Sequence, residues 1–284
     1  MSDHYQLVQL KNGTYSVRSL ADAETFHPVI GPVAEAEALY IRQLRLLDRI
    51  AATTGEFTVW DVGLGAAANP LTLISAAGNL PASLRIVSFD QTKEPLRFAL
   101  THREPLGYLA GYQDTLTELA NSNHVSFRTP GGLAIDWELH VADFPSFIKT
   151  DAARRLPKPD AIFYDAFSPQ KNAAMWTLEV FTNLFRLLSL AHPCAMPTYS
   201  RSTLLRVTLL LAGFFVGVGH ATGEKEETTI AANTLSLLDQ PLDRNWLGRV
   251  RRSRSAEPLH SPEYRQAPLQ AESWERLLDH PQFR

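Results

Sequence analysis

Between residues 57 and 232, short apolar runs rich in β-branched and aromatic residues alternate with stretches whose apolar positions recur every three to four residues. The runs lie at 57–62, 84–89, 137–141, 159–165, 194–199, 214–218 and 228–232, and the helical stretches at 69–77, 94–103, 146–153, 177–190 and 202–212. Such alternation predicts an α/β fold with a mostly parallel sheet covered by helices on both faces. No helix separates the last two runs, so they are expected to close the sheet as an antiparallel pair, giving seven strands. Residues 107–136 depart from this rhythm: 114–120 reads as a helix, and 124–128 with Thr129-Pro130-Gly131-Gly132 reads as a hairpin leading into the third strand.

Ahead of the alternation, residues 5–18 predict a β-hairpin turning at Asn12-Gly13, since both residues tolerate positive φ. A helix is expected over 33–52, with Ala36, Leu39, Tyr40, Leu44, Leu47 and Ile50 facing inward and Arg42, Arg45, Asp48 and Arg49 facing outward. The expected organisation is a hairpin-and-helix cover (1–52), a core (53–238) and a C-terminal extension (239–284). Arg244, Arg249, Arg251, Arg252 and Arg254 surround Trp246 in that extension. They read either as contacts for phosphates and a stacked base, or as a solvated, partly disordered tail.

Composition narrows the class. With 45% hydrophobic and 20% charged residues in 284, the chain is an ordinary globular protein. The longest apolar run, 204–218, is interrupted by Arg206, Thr208, Gly213 and Gly217, and predicts a helix followed by a strand rather than a membrane span. A polar start, Met1-Ser2-Asp3-His4, lacks a secretory pattern, so a cytoplasmic, non-membrane protein is expected. A lone cysteine, Cys194, leaves no internal disulfide and no multi-cysteine metal site. The net charge of −3 supplies no global attraction to nucleic acid, so RNA binding would need a local patch.

The candidate chemistry sits where predicted strands end. The first ends at Asp61 and is followed by Gly63-Leu64-Gly65 and small residues opening a helix at Asn69. Two glycines let the backbone approach a ligand, and the helix offers its first N–H groups. Ala68 stands where a dinucleotide fingerprint has its third glycine. An acid before Gly-x-Gly suits a ligand with a cation or hydroxyls, such as S-adenosyl-L-methionine (SAM), although any β-to-α turn can share the pattern. Asp90, ending the second strand, is placed to hold a ribose or to cap a helix. Asp143, after the third, is placed to accept from the adenine amine or to cap the next helix. Asp165 ends the fourth strand and is expected to face the reacting end of the ligand. His27, beside Pro28, reads as structural, though it and Glu24 lie within reach of the site.

Residues 165–176, Asp165-Ala166-Phe167-Ser168-Pro169-Gln170-Lys171-Asn172-Ala173-Ala174-Met175-Trp176, resemble the loop after strand four in the methyltransferase domain of the MnmC family. Gly63-x-Gly65 with Asn69, Thr198-Tyr199-Ser200 and Ala212-Gly213-Phe214 extend the likeness over roughly residues 10–235. The resemblance implies a Rossmann-like SAM-dependent methyltransferase that converts wobble 5-aminomethyl-2-thiouridine of tRNA to its 5-methylaminomethyl form. It also implies SAM as the cofactor, with neither FAD nor metal, and a separate oxidase acting upstream. On this reading Asp61, Gly63, Gly65, Asn69, Asp90, Asp143 and Asp165 bind SAM, and Asp165 is also catalytic. Lys171, Asn172, Met175, Trp176 and Tyr199 shape the acceptor side, with Trp176 equally readable as core. Two departures stand out. The loop Gly65-Ala66-Ala67-Ala68-Asn69-Pro70 replaces the family's Gly-Thr-Gly-Leu-Asn-Phe, and Gly223-Glu224-Lys225-Glu226-Glu227-Thr228 has acids where the tRNA-modifying enzymes carry arginines. These differences leave a small amine or another RNA as an alternative acceptor, and a non-catalytic SAM-binding module as a second alternative.

Overall fold

In the computed structural model, which describes residues 4–223 and 226–284, all seven expected strands form, and 124–128 adds another. In chain order the strands are β1 (Tyr5–Gln9), β2 (Tyr15–Ser19), β3 (Glu24–Thr25), β4 (Glu56–Val62), β5 (Ser83–Asp90), β6 (His124–Arg128), β7 (Ala134–Val141), β8 (Ala161–Tyr164), β9 (Ala195–Thr198), β10 (Phe215–Gly219) and β11 (Thr228–Ala232). No helix among the described residues is long and apolar enough to cross a membrane. The chain divides into two compact units, the first made by the chain through Phe144 with Ala161–Asp165 and a short piece from Ala221.

In the first unit the strand order is β8-β4-β5-β7-β6. All neighbours are parallel except β6, which runs antiparallel to β7. β4 is buried at every position after Glu56, and β8 throughout, as strands covered on both faces must be. Their apolar side chains pack in ring pairs such as Trp60 on Phe89 and Tyr40 stacked on Phe163. From β4 the winding proceeds one way to β5 and β7 and the other way to β8, so the strand order reverses between β4 and β8. In sheets of this kind ligands lie outside the carboxyl ends at that reversal.

The expected hairpin forms as β1 and β2, with β3 added antiparallel. The single helix expected over 33–52 does not. It is broken into Pro32–Ala36, a π-helical stretch Glu37–Arg42 and Leu46–Ala52, because Arg45 adopts a left-handed backbone (φ +49°). That break rotates the last segment, so Leu46 is buried and Leu47, predicted inward, is exposed. The helix predicted over 146–153 is likewise replaced by Phe144–Phe147 and Asp151–Arg155, the latter capped by the Thr150 hydroxyl.

In the second unit β10, β11 and β9 run antiparallel, the reversal expected of a closing pair. Helices Leu178–Leu187 and Thr203–Ala212 begin at Thr177 and Ser202, whose hydroxyls accept from backbone N–H groups one turn on. Arg206, almost fully buried, donates to Thr229 Oγ1 (3.0 Å) and to the Thr228 carbonyl (2.8 Å) and lies 3.4 Å from Glu227. Asn233 clasps the start of β9: its Oδ1 accepts from the Cys194 N–H (2.9 Å), while its Nδ2 donates to the Ser189 and His192 carbonyls. Residues beyond 241 are structured, with helices Leu247–Arg252 and Ala271–Leu278, so the disordered-tail reading is set aside. Arg251 lies 4.5 Å over the Trp274 ring and Arg244 Nε donates to the Phe283 carbonyl (2.6 Å), while Arg252 and Arg254 are exposed.

Candidate active site

Three acids reach one edge of the first unit because β4, β5 and β8 are parallel and end together. After β4 the chain turns through Gly63 (φ +97°) and Gly65 (φ +53°), conformations that favour glycine. The turn is anchored to β5: Gly63 and Leu64 N–H groups donate to the Phe89 carbonyl at 2.9 and 3.2 Å, and the Gly65 N–H donates to Asp90 Oδ2 at 2.9 Å. Asp90 Oδ1 accepts from the Thr92 N–H at 3.2 Å. Asp90 therefore holds the loop's shape, and burial raises its pKa despite these donors. A Cβ on Gly65 would stand 3.2 Å from the Phe26 ring, so the N-terminal segment packs over the loop and a side chain there would push on that ring. Helix Ala68–Ala77 then begins without a side-chain cap.

Asp61 lies beneath this turn with no solvent exposure. Ser88, its register partner on β5, donates to Asp61 Oδ2 at 2.8 Å, and the Trp137 indole N–H donates to Ser88 Oγ at 2.9 Å. Asp61 Oδ1 is buried without a hydrogen-bond partner. Burial lifts the Asp61 pKa to about 7, opposed by the Ser88 hydroxyl and reinforced by the charges of Asp165 and Asp90. Ser88 and Trp137 were not singled out from sequence; the one signal was a serine between Val87 and Phe89.

Asp165 follows β8 directly, and its N–H donates to the Val62 carbonyl (3.0 Å). Asn69 Nδ2, from the first turn of the helix, donates to Asp165 Oδ2 at 2.8 Å, leaving Asn69 Oδ1 buried and unpartnered. His27 Nε2 lies 3.5 Å from the same Asp165 oxygen, and His27 Nδ1 lies 3.9 Å from Glu35 Oε2. The structural reading of His27 is thus corrected: it is part of the carboxylate cluster. The cluster is acidic overall and suits a cationic ligand. Buried acceptor atoms without partners beside a left-handed glycine turn fit SAM, whose ammonium needs acceptors and whose sulfonium is favoured by nearby negative charge.

Of the other expected residues, Asp143 is exposed and its Oδ1 accepts from Gln91 Nε2 (2.9 Å), next to Asp90 in the chain. The rest belong to the second unit. Lys171 is exposed and Asn172 half-buried. Trp176 is wholly buried, its indole N–H donating to the Phe167 carbonyl (2.7 Å), so it is a core residue rather than a pocket wall. Met175 is also buried. Tyr199 packs edge-on against Trp176 and donates its hydroxyl to the Ala166 carbonyl (3.0 Å). Among the described residues no cluster of three or more His, Cys, Asp or Glu is arranged to hold a metal ion. Glu224 and Lys225 lie outside the described residues.

A family model described as S-adenosyl-L-methionine-dependent methyltransferase matches residues 112–234. The tRNA 5-methylaminomethyl-2-thiouridine biosynthesis bifunctional protein MnmC of Burkholderia vietnamiensis is 31% identical over 203 residues, covering 67% of this chain and 29% of that protein. The protein of the same name from Methylibium petroleiphilum is 28% identical over 242 residues, covering 82% of this chain and 35% of its own length. The chain therefore spans about a third of the curated relatives it matches. Among solved structures, MnmC2 from Aquifex aeolicus superposes with a TM-score of 0.66 at 22% identity, over 97% of this chain and 83% of that one. A spermidine synthase shares the fold at a TM-score of 0.53 and 12% identity, covering 98% and 86%. With its Rossmann-like α/β fold, its Gly-x-Gly turn among acids and these relatives, the chain is a SAM-dependent methyltransferase that resembles the methyltransferase domain of the MnmC family.

Proposed function

We propose that the chain methylates the exocyclic amine of wobble 5-aminomethyl-2-thiouridine in tRNA, giving the 5-methylaminomethyl nucleoside. The observation that carries this is Asp165, held by Asn69 beside the Gly63–Gly65 turn. Kinship with MnmC proteins supports the tRNA acceptor, and a separate oxidative enzyme acting upstream in the cytoplasm belongs to the same proposal.

SAM, when bound, supplies an electrophilic methyl group whose bonding pair leaves with sulfur. Asp61, Gly63, Gly65 and Asn69 are assigned to its methionine end, where Asp61 Oδ1 and Asn69 Oδ1 still have acceptor capacity. Asp90 keeps acceptor capacity for ribose hydroxyls beyond its backbone donors, and Asp143 is assigned to the adenine amine. An alkylamine is mostly protonated at neutral pH, so its nitrogen becomes a nucleophile only after losing a proton. Asp165 is assigned to take that proton and to orient the nitrogen, and positioning supplies most of the remaining rate. Lys171, Asn172 and Tyr199 are assigned to the acceptor nucleotide.

Purified protein, radiolabelled SAM and tRNA from cells lacking the final wobble methylation test this directly. Label is expected on the 5-aminomethyl nitrogen. Unlabelled tRNA alongside tight SAM binding would move the assignment to a small amine or another RNA, a reading favoured by Glu226 standing where the family has an arginine. Asp165→Asn is expected to lower turnover by about two orders of magnitude while SAM affinity holds.

A further inference from the structure

His27 lies between two carboxylates within the first unit, Nε2 toward Asp165 and Nδ1 toward Glu35. Its side chain is only 10% exposed and that of Glu35 only 12%. Its backbone is left-handed (φ +47°), an uncommon state for a residue with a Cβ, which persists only where surrounding structure imposes it. Here β2 imposes it: the Phe26 N–H donates to the Val17 carbonyl (2.8 Å), and the Ser16 hydroxyl donates to the Phe26 carbonyl. The Phe26 ring against Gly65 fixes the same segment to the cofactor turn.

A carboxylate alone is a poor sink for the proton of an alkylammonium. Ordinary side-chain values are about 3.9 for Asp, 6.5 for His and 10.4 for an alkylamine such as Lys.

We propose that His27 takes up the proton lost by the acceptor amine, receiving it through Asp165, with Glu35 orienting the imidazole. This rests on the amine-methylating reading above. The ammonium N–H bond breaks with its electron pair staying on nitrogen, and the proton passes to Asp165 Oδ2. From there it passes to His27 Nε2, whose lone pair forms the new N–H bond and returns Asp165 to its anionic state. The Nδ1–H side of the ring faces Glu35, and the imidazolium yields its proton to solvent once product leaves. Asp165 and Glu35 face the ring, and Asp61 feels the charges of both Asp165 and Asp90. His27 works through Asp165 rather than on substrate, so it is a positioning and proton-holding residue.

The test compares wild type with His27→Ala and His27→Gln in tRNA methylation across pH 6.5–9.5, with SAM affinity measured by calorimetry. Both variants are expected to keep SAM affinity and the KM for tRNA within about twofold while kcat at pH 7 falls about 10- to 100-fold. The deficit should shrink as pH rises, since an amine already neutral in solution needs no acceptor. Free imidazole should restore rate to His27→Ala and not to His27→Gln, whose side chain fills the space. Independently of turnover, 15N-histidine NMR of the wild type should show His27 becoming protonated when substrate tRNA joins the S-adenosylhomocysteine complex. An undiminished kcat at pH 7 in both variants would overturn the proposal. So would a loss that is constant with pH and indifferent to imidazole, and so would an unprotonated His27 in the ternary complex if neither variant folds. Failure of wild type itself to label tRNA overturns the acceptor reading instead, so the two failures are distinguishable.

Discussion

Ionising Asp61 in the folded chain places a charge where water does not reach, with one hydroxyl as its partner and two further acids nearby. Its folded pKa of about 7 lies above the ordinary aspartate value of 3.8. Between those values the native state binds more protons than the unfolded one, so this residue's contribution is full below about pH 4 and is lost as pH rises through 7. Asp61→Asn should therefore flatten the fall in Tm between about pH 4 and 7, an effect of at most about 4 kcal/mol by linkage. The same residue couples to ligand: if Asp61 receives the ammonium, SAM binding to wild type releases a proton near pH 6.5, seen as buffer-dependent calorimetric heat. Asp61→Asn should lose that buffer dependence. Asp61, Asp90 and Asp165 were legible in sequence because each ends an apolar run. Ser88 and Trp137 were not, because their role depends on register across β5 and β7, which no local pattern encodes.

At the scale of elements, the strands were legible because β4 and β8 are buried on both faces and read as largely apolar runs, and β5 is apolar through Ile86, Val87 and Phe89. The 33–52 segment was not, because its helical period continues through Arg45 while the backbone reverses hand there. Nothing about an arginine marks such a turn. Arg45→Gly should accordingly raise stability by up to about 1 kcal/mol, the left-handed penalty less the entropy of glycine, read as a higher urea midpoint. Gly213 is the opposite case. It ends helix Thr203–Ala212 at φ +111°, and a Cβ there would lie 2.8 Å from the Phe185 ring. Gly213→Ala should lower stability by about 1–3 kcal/mol, read as a lower urea midpoint, combining backbone strain with a clash.

For the whole molecule, a net charge of −3 means that attraction to RNA must come from local cation clusters. Several arginines of the C-terminal region are already engaged within the protein, Arg244 by the Phe283 carbonyl, Arg249 beside Glu227 and Arg251 on Trp274. Arg252 and Arg254 are the exposed candidates. Arg252→Glu with Arg254→Glu should weaken tRNA binding and shallow its salt dependence by about two phosphate contacts, with SAM affinity unaltered. Equal salt slopes for the two proteins would place the RNA surface elsewhere.

Cys194 gives the second unit a clock. It is the chain's single thiol, buried at the entrance of β9, with its own N–H bonded to Asn233. A thiol reagent can reach it only when that strand end comes away from the asparagine clasp. The labelling rate thus reports how often this part of the molecule opens, without an introduced probe and without a competing signal from the unit that carries the acids.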